Sequence, residues 1–256
     1  NDLKNNSIAR RKEYKLKESF ANQIKMFCKD NLISEYCFFL TALELYINKF
    51  YGITDVIIGN PFLNRKNYKE KNTIGMFVNT IPLRFKIEND EMSTLELLKI
   101  NSLTIRNALK HQMYPYNDIL NFVKKKYGIN QNLYNILFSY QNAKNNNKCS
   151  DINYSTEWGF NESIADNLQI HIHDRDSENT FNIVYDYQKN IFSNAEISKM
   201  HEKYIYVIKQ LLNNNSLIKN IEITTQEEKD IILNIFNKTE MDFSAEIKYN
   251  NIFNLI

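Results

Sequence analysis

Apolar positions along the chain follow two rhythms, and the changes between them mark its elements. A short strand is expected at residues 14–16. Phe20, Ile24, Phe27 and Cys28 then recur at helical spacing. Ser34 is placed to cap a second helix running to Phe50, with Gly52 just past its end. That helix is apolar nearly all round, which predicts a central, buried position. Asp55-Val-Ile-Ile-Gly59 reads as a buried strand closed by Asn60-Pro61. A polar loop at 64–72 follows, then a strand at 81–87. Ser93 and Glu96 form a capping box before a helix bearing Leu98, Ile105 and Leu109. A shorter helix at 117–127 stops at Gly128, and Tyr134, Ile136, Phe138 and Tyr140 alternate as a strand does.

The second part of the chain continues in this way. Residues 143–153 form an asparagine-rich loop. Leu168, Ile170 and Ile172 alternate with Gln169, His171 and His173, and Phe181, Ile183, Tyr185 and Tyr187 form a second alternating run. Residues 174–179 join the two runs as a hairpin. Ser193 and Glu196 make another capping box, ahead of a stripe of Ile197, Met200, Tyr204, Val207 and Leu211. Thr225 and Glu228 open one more helix, ending near Asn237. The expected fold is α/β, a mixed central sheet flanked by helices, with no internal repeat and no regular βαβ rhythm.

Composition narrows the function classes. Hydrophobic residues make up 43% and aromatics 13%, enough for a substantial core and too much for a disordered chain. Lys and Arg number 32 against 30 Asp and Glu, a net charge of +2 that gives no reason to expect nucleic acid or an anionic membrane. Arg10-Arg11-Lys12 reads as a solvated basic run. The densest apolar stretch, from Tyr36 to Ile47, is broken by Glu44 and falls short of the roughly 20 residues of a membrane span. Three widely spaced cysteines, with no signal-type segment, fit a reducing, cytoplasmic setting; Cys28 and Cys37 read as small hydrophobes.

Common catalytic motifs are absent: no Gly-x-Ser-x-Gly, P-loop, Gly-x-Gly-x-x-Gly or His-Glu-x-x-His occurs. His171 and His173 share one strand face and could form a metal pair, but Asp174 points the other way. Polar residues alternating with Leu and Ile are also the pattern of a half-solvated strand, and no metal centre is expected. His201 reads as a surface residue of an amphipathic helix.

Three stretches carry a more specific signal. Asp55-Val-Ile-Ile-Gly-Asn-Pro-Phe-Leu-Asn-Arg65 has the form D-x-x-I-G-x-P-x-x-x-R, and Ile74-Gly-Met-Phe-Val-Asn-Thr-Ile-Pro-Leu-Arg84 has the form I-G-x-F-V-N-T-x-x-x-R. His111-Gln-Met-Tyr-Pro-Tyr116 follows, and Phe138-Ser-Tyr-Gln-Asn142 continues the order. Each residue has a simple packing reading: Gly75 relieves a tight backbone, and Phe77 and Val78 belong to the core. In this order and spacing the stretches resemble the condensation domains of nonribosomal peptide synthetases, over Lys15 to about Asn237. The family hallmark, His-His-x-x-x-Asp-Gly, occurs nowhere in the chain, and His171-Ile-His173 does not substitute for it. Lys126 to Leu133 replaces a common R-D-x-S-R-N-P-L, and Met113 and Asn117 stand where many members are acidic. The intact Val78-Asn79-Thr80 favours condensation over epimerization.

The resemblance implies a chloramphenicol acetyltransferase-like half domain, the C-terminal subdomain of a condensation domain, over residues 1–237. Residues 238–256 resemble a linker toward a following adenylation domain. Such domains form a V with a tunnel between their halves, in which a carrier-bound acyl or peptidyl thioester is joined to a carrier-bound amino acid in antibiotic biosynthesis. The implied partners are the N-terminal half, the carrier domains and the adenylation domain. No cofactor is bound directly; phosphopantetheine on the carriers brings the substrates. The implied structural and interface residues are Arg65, Asn64, Gly75, Phe77, Asn79, Thr80 and Arg84, with Arg65 pairing the hallmark Asp of the other half. His111, Gln112, Tyr114 and Pro115 shape the acceptor side of the tunnel, by packing or by touching substrate. No catalytic residue is assigned, and this chain alone is expected to be inactive. Two alternatives remain: a same-fold coenzyme A-dependent acyltransferase, and a non-catalytic carrier-docking module.

Overall fold

The computed structural model describes residues 8–142, 158–174, 179–213 and 216–238. Its compact unit runs to Ile223, and Thr224–Ile256 forms a separate unit. The six strands are β1 (Ala9–Lys15), β2 (Asp55–Phe62), β3 (Asn79–Lys86), β4 (Ile136–Gln141), β5 (Leu168–His173) and β6 (Asn182–Gln188). They form one mixed sheet of order β1-β6-β5-β4-β2-β3. β4 runs parallel to both β2 and β5, and the other neighbours are antiparallel. This is the expected α/β sheet, with the expected hairpin as β5–β6.

The helices are α1 (Glu18–Asp30), α2 (Glu35–Tyr51), α3 (Tyr68–Lys71), α4 (Thr94–Leu109), α5 (Tyr116–Tyr127), α6 (Asn194–Leu211) and, in the second unit, α7 (Gln226–Ile231). Their ends follow the sequence signals. Ser34 accepts from the Cys37 amide, and Gly52 closes α2 in the left-handed conformation. Ser93 with Glu96 and Ser193 with Glu196 form complete capping boxes on α4 and α6. In the second unit, Thr225 and Glu228 cap α7, which ends in a π-helical turn at Ile232–Phe236. The expected linker at 238–256 lies outside the described residues apart from Lys238.

α2 is the axis of the helical layer. Every residue from Cys37 to Ile47 is buried, because α1, α4 and α6 pack around it. Phe39 meets Phe181 edge-on at 5.0 Å, and the Tyr204 hydroxyl donates to the Phe39 carbonyl at 2.8 Å. The Glu44 carboxylate is enclosed in this layer. It accepts from Asn101 Nδ2 at 2.5 Å, and burial pushes its pKa up to about 7, with the Asn101 bond opposing. Cys28 and Cys37 are free and buried, as their apolar surroundings predict.

Four details differ from the sequence reading. β1 begins at Ala9, so Arg10-Arg11-Lys12 is strand, with Arg10 exposed and Arg11 and Lys12 half-buried. The Arg11 guanidinium forks onto both oxygens of the buried Asp186, at 2.7 Å each. β2 continues through Pro61; its bridge to β4 is at Gly59, so the missing prolyl N–H lies beyond that pairing. β5 is not half-solvated, since His171 and His173 are buried. Trp158 explains this by covering both imidazoles, with ring centroids 4.9 and 6.1 Å away. Finally, His201 is half-buried and not a fully solvated residue. Its ring stacks on Tyr14 at 3.7 Å and lies 3.0 Å from the Tyr185 hydroxyl. Burial, helped by Lys12, lowers its pKa to about 4.

Candidate functional site

The three sequence stretches meet at the β2–β3 edge of the sheet. β2 and β3 pair in antiparallel register from Asp55↔Lys86 to Phe62↔Asn79. At the far end of this ribbon, Arg84 forks onto Asp55 with bonds of 2.8 and 2.6 Å, lowering the Asp55 pKa through that bonded pair. In mid-ribbon, the ring of Tyr134 lies directly on Gly59. A Cβ there would sit 2.4 Å from a ring carbon, so the contact requires glycine. Tyr134 also packs on Tyr116 at 5.2 Å, and the Tyr116 hydroxyl accepts from the Leu133 amide. Gly59 of the first stretch is thereby joined to Tyr116 of the third.

The loop between β2 and β3 is organised by Arg65. Asn64 enters it with φ 53, a left-handed conformation asparagine tolerates well. The Arg65 guanidinium donates to the carbonyls of Glu70, Thr73 (2.6 Å) and Gly75 (2.7 Å), and lies 4.2 Å over the Phe77 ring. In this chain, backbone carbonyls and an aromatic face thus occupy the guanidinium. Gly75 has φ 149, which favours glycine, so its place in the sequence has a backbone cause.

The packing reading of Phe77 and Val78 needs correction. Phe77 is half-buried beneath Arg65, and Val78 is 45% exposed. Ile74 and Met76 are 101% and 91% exposed, and Leu63 is 72% exposed. Apolar side chains this exposed would lie more favourably against another surface than in water.

Asn79 links this loop to the turn between α4 and α5. Its Nδ2 donates to the carbonyls of Gln112 and Tyr114, each at 2.8 Å. The turn carries His111 exposed at its start, followed by half-buried Gln112 and exposed Met113, Tyr114 and Pro115. Thus Asn64, Arg65, Gly75, Phe77, Asn79, Thr80, His111, Gln112, Tyr114 and Pro115 lie along one connected surface. Arg84 stands apart, at the other end of the ribbon with Asp55. The surface can shape and hold a partner. It offers no assembled acid–base pair, and among the described residues nothing bonds the His111 ring to orient it.

A second polar cluster escaped the sequence reading. Arg11, Asp186 and His171 line an open depression of about 510 Å³ with Trp158, Phe160 and Gln169. His171 Nε2 lies 3.5 Å from Asp186, and Arg11 Nη1 holds the Trp158 carbonyl at 2.7 Å. Burial would raise the Asp186 pKa, but the bonds from Arg11 and His171 outweigh it and leave the carboxyl below its usual range. Arg11 and Asp186 are direct cross-strand neighbours, a pairing visible only once the register is known. Trp158 packs on this chain's own sheet, and residues 143–157 lie outside the described residues. The described residues contain no group of His, Cys, Asp and Glu placed to hold a metal ion, and none of their helices is long and apolar enough to cross a membrane.

Known proteins share both sequence and fold with this chain. The family model named Condensation domain matches residues 1–233. Surfactin synthase subunit 1 of Bacillus subtilis (strain 168) is 30% identical over 217 residues, which cover 84% of this chain and 6% of that protein. Bacitracin synthase 3 of Bacillus licheniformis is 26% identical over 225 residues, covering 86% and 4%. Among solved structures, a four-domain nonribosomal peptide synthetase bound to AMP and glycine matches with TM-score 0.76 at 15% identity, over 88% of this chain and 19% of that one. The condensation domain of Monacolin K polyketide synthase matches with TM-score 0.71 at 19% identity, over 82% of this chain and 48% of that one. The chain therefore spans a small part of its curated relatives and about half of a condensation domain solved by itself. At such identities the structural matches speak for the fold, and the family model speaks for descent. The sheet, the three connected stretches and the family match agree: the chain belongs to the condensation-domain family of nonribosomal peptide synthetases.

Proposed function

We propose that this chain is the C-terminal half of a condensation domain and forms one wall of the tunnel where two carrier-bound substrates meet. The observation that carries the reading is the exposed apolar run of Leu63, Ile74, Met76 and Val78, on a loop that Arg65 holds in shape. A surface of this kind fits a second half of similar size, and the 48% coverage of a solved condensation domain leaves room for one. In this reading the loop is the floor that crosses toward the N-terminal half, and the turn at 111–115 faces the acceptor substrate. Arg65 exchanges some of its carbonyl bonds for the hallmark Asp of the other half.

The reaction is amide formation. The acceptor's amine attacks the carbonyl carbon of the donor thioester, the C–N bond forms and the C–S bond breaks. The pantetheine thiolate leaves, and the amine's proton passes to the histidine of the other half or to the thiolate. This chain contributes position and exclusion of water, which convert an encounter between two tethered groups into a local reaction. Its partners in this reading are the N-terminal half, the carriers and an adjacent adenylation domain.

The test is an amide-forming assay with loaded donor and acceptor carriers. Product is expected when this chain is combined with the N-terminal half of its own synthetase. Product from this chain alone would overturn the half-domain reading. Product only from a free coenzyme A thioester would favour an acyltransferase that needs no donor carrier, and carrier binding without any product would favour a docking module.

A further inference from the structure

We propose that Asn79 is a positioning residue: its side-chain amide fixes the turn at 111–115 and thereby where the acceptor substrate is presented. This rests on the function proposed above and adds a role for one side chain within it. The amide has two hydrogens, and each reaches a different carbonyl of the turn, Gln112 O and Tyr114 O, at 2.8 Å. Within the turn the backbone bonds run backwards: His111 N to Ala108 O, Gln112 N to Leu109 O, and Tyr114 N to His111 O. The two carbonyls that Asn79 holds accept none of these bonds.

Two bonds to carbonyls two residues apart fix both the distance of the turn from β3 and its rotation. One bond would leave a pivot. The side chains that depend on this setting are His111, Met113 and Tyr114, which leave the turn toward solvent, Met113 53% and Tyr114 55% exposed. Asn79 is itself the first residue of β3, paired with Phe62, so the turn inherits its place from the sheet. Aspartate, of the same size, has no hydrogen to give and would set a carboxylate against two carbonyl oxygens.

The experiment uses the whole synthetase that contains this chain. Wild type, Asn79→Asp and Asn79→Ala are assayed for amide formation while loaded acceptor carrier and then loaded donor carrier are varied. The expected result is a rise of about tenfold in acceptor KM, the scale of one or two lost hydrogen bonds, with donor KM changed less than about twofold. The melting temperature of the alanine variant is expected to stay near wild type, which separates positioning from loss of fold. An unchanged acceptor KM in both variants overturns the proposal, and so do equal rises for donor and acceptor. Absence of product from the wild-type synthetase would instead overturn the function on which the proposal rests.

Discussion

Single side chains set much of the shape of this surface, and Arg65 sets the most. Sequence resemblance marked it, yet its present partners are three carbonyls and a ring, which no spacing rule foretells. Arg65→Lys places a point charge where a fork spanned several acceptors, so residues 66–77 are expected to open more often. Limited proteolysis in that loop should accelerate by about threefold or more; an unchanged rate would mean the loop holds without the guanidinium. In the complete domain, Arg65→Ala is expected to leave the opposing carboxylate unpaired, at a cost of about 3–5 kcal/mol read by denaturant unfolding. Glu44 gives a second test at this scale. Its folded pKa of about 7 lies above the ordinary 4.5, so the protonated form is the one the fold prefers. That contribution is fully present below pH 4.5 and is lost as pH rises through 7. The stability of Glu44→Gln relative to wild type is thus expected to rise by about 3 kcal/mol between pH 4.5 and 8. A pH-independent difference would place the carboxyl in contact with water.

At the scale of elements, the sequence was most informative where local chemistry decides. Capping boxes at Ser93, Ser193 and Thr225 and glycine stops at Gly52 and Gly128 gave helix ends close to those observed, because each cap needs only neighbours in sequence. Strands were less legible. β1 begins five residues before its expected start at Tyr14, because Arg11 finds Asp186, 175 residues away. β5 looked amphipathic because nothing local says that Trp158 returns to cover His171 and His173. Gly59 shows an element-level dependence open to test. Gly59→Ala forces the Tyr134 ring off β2 and is expected to destabilise the unit by about 1–3 kcal/mol. Tyr134→Leu should recover part of that loss, since the clash is with the ring, and the double-mutant cycle should show coupling. Additive losses would indicate that the ring moves aside freely.

The whole molecule joins features that each have a modest local meaning. The sequence placed three stretches in order, and the fold connects them through Tyr134, Asn79 and the Arg65 loop. It also shows that Val78, read as core, faces outward. That reversal could not be read from one chain, because a residue buried only in an assembly has the same composition as one buried in a monomer. In the function proposed above, the N-terminal half covers this connected surface. Hydrogen exchange of the chain, with and without that half added, reads this. Added protection is expected at residues 63–80 and 111–117, with little change on helices α1 and α6. Protection on α1 and α6 instead, with the 63–80 loop exchanging as before, would contradict it.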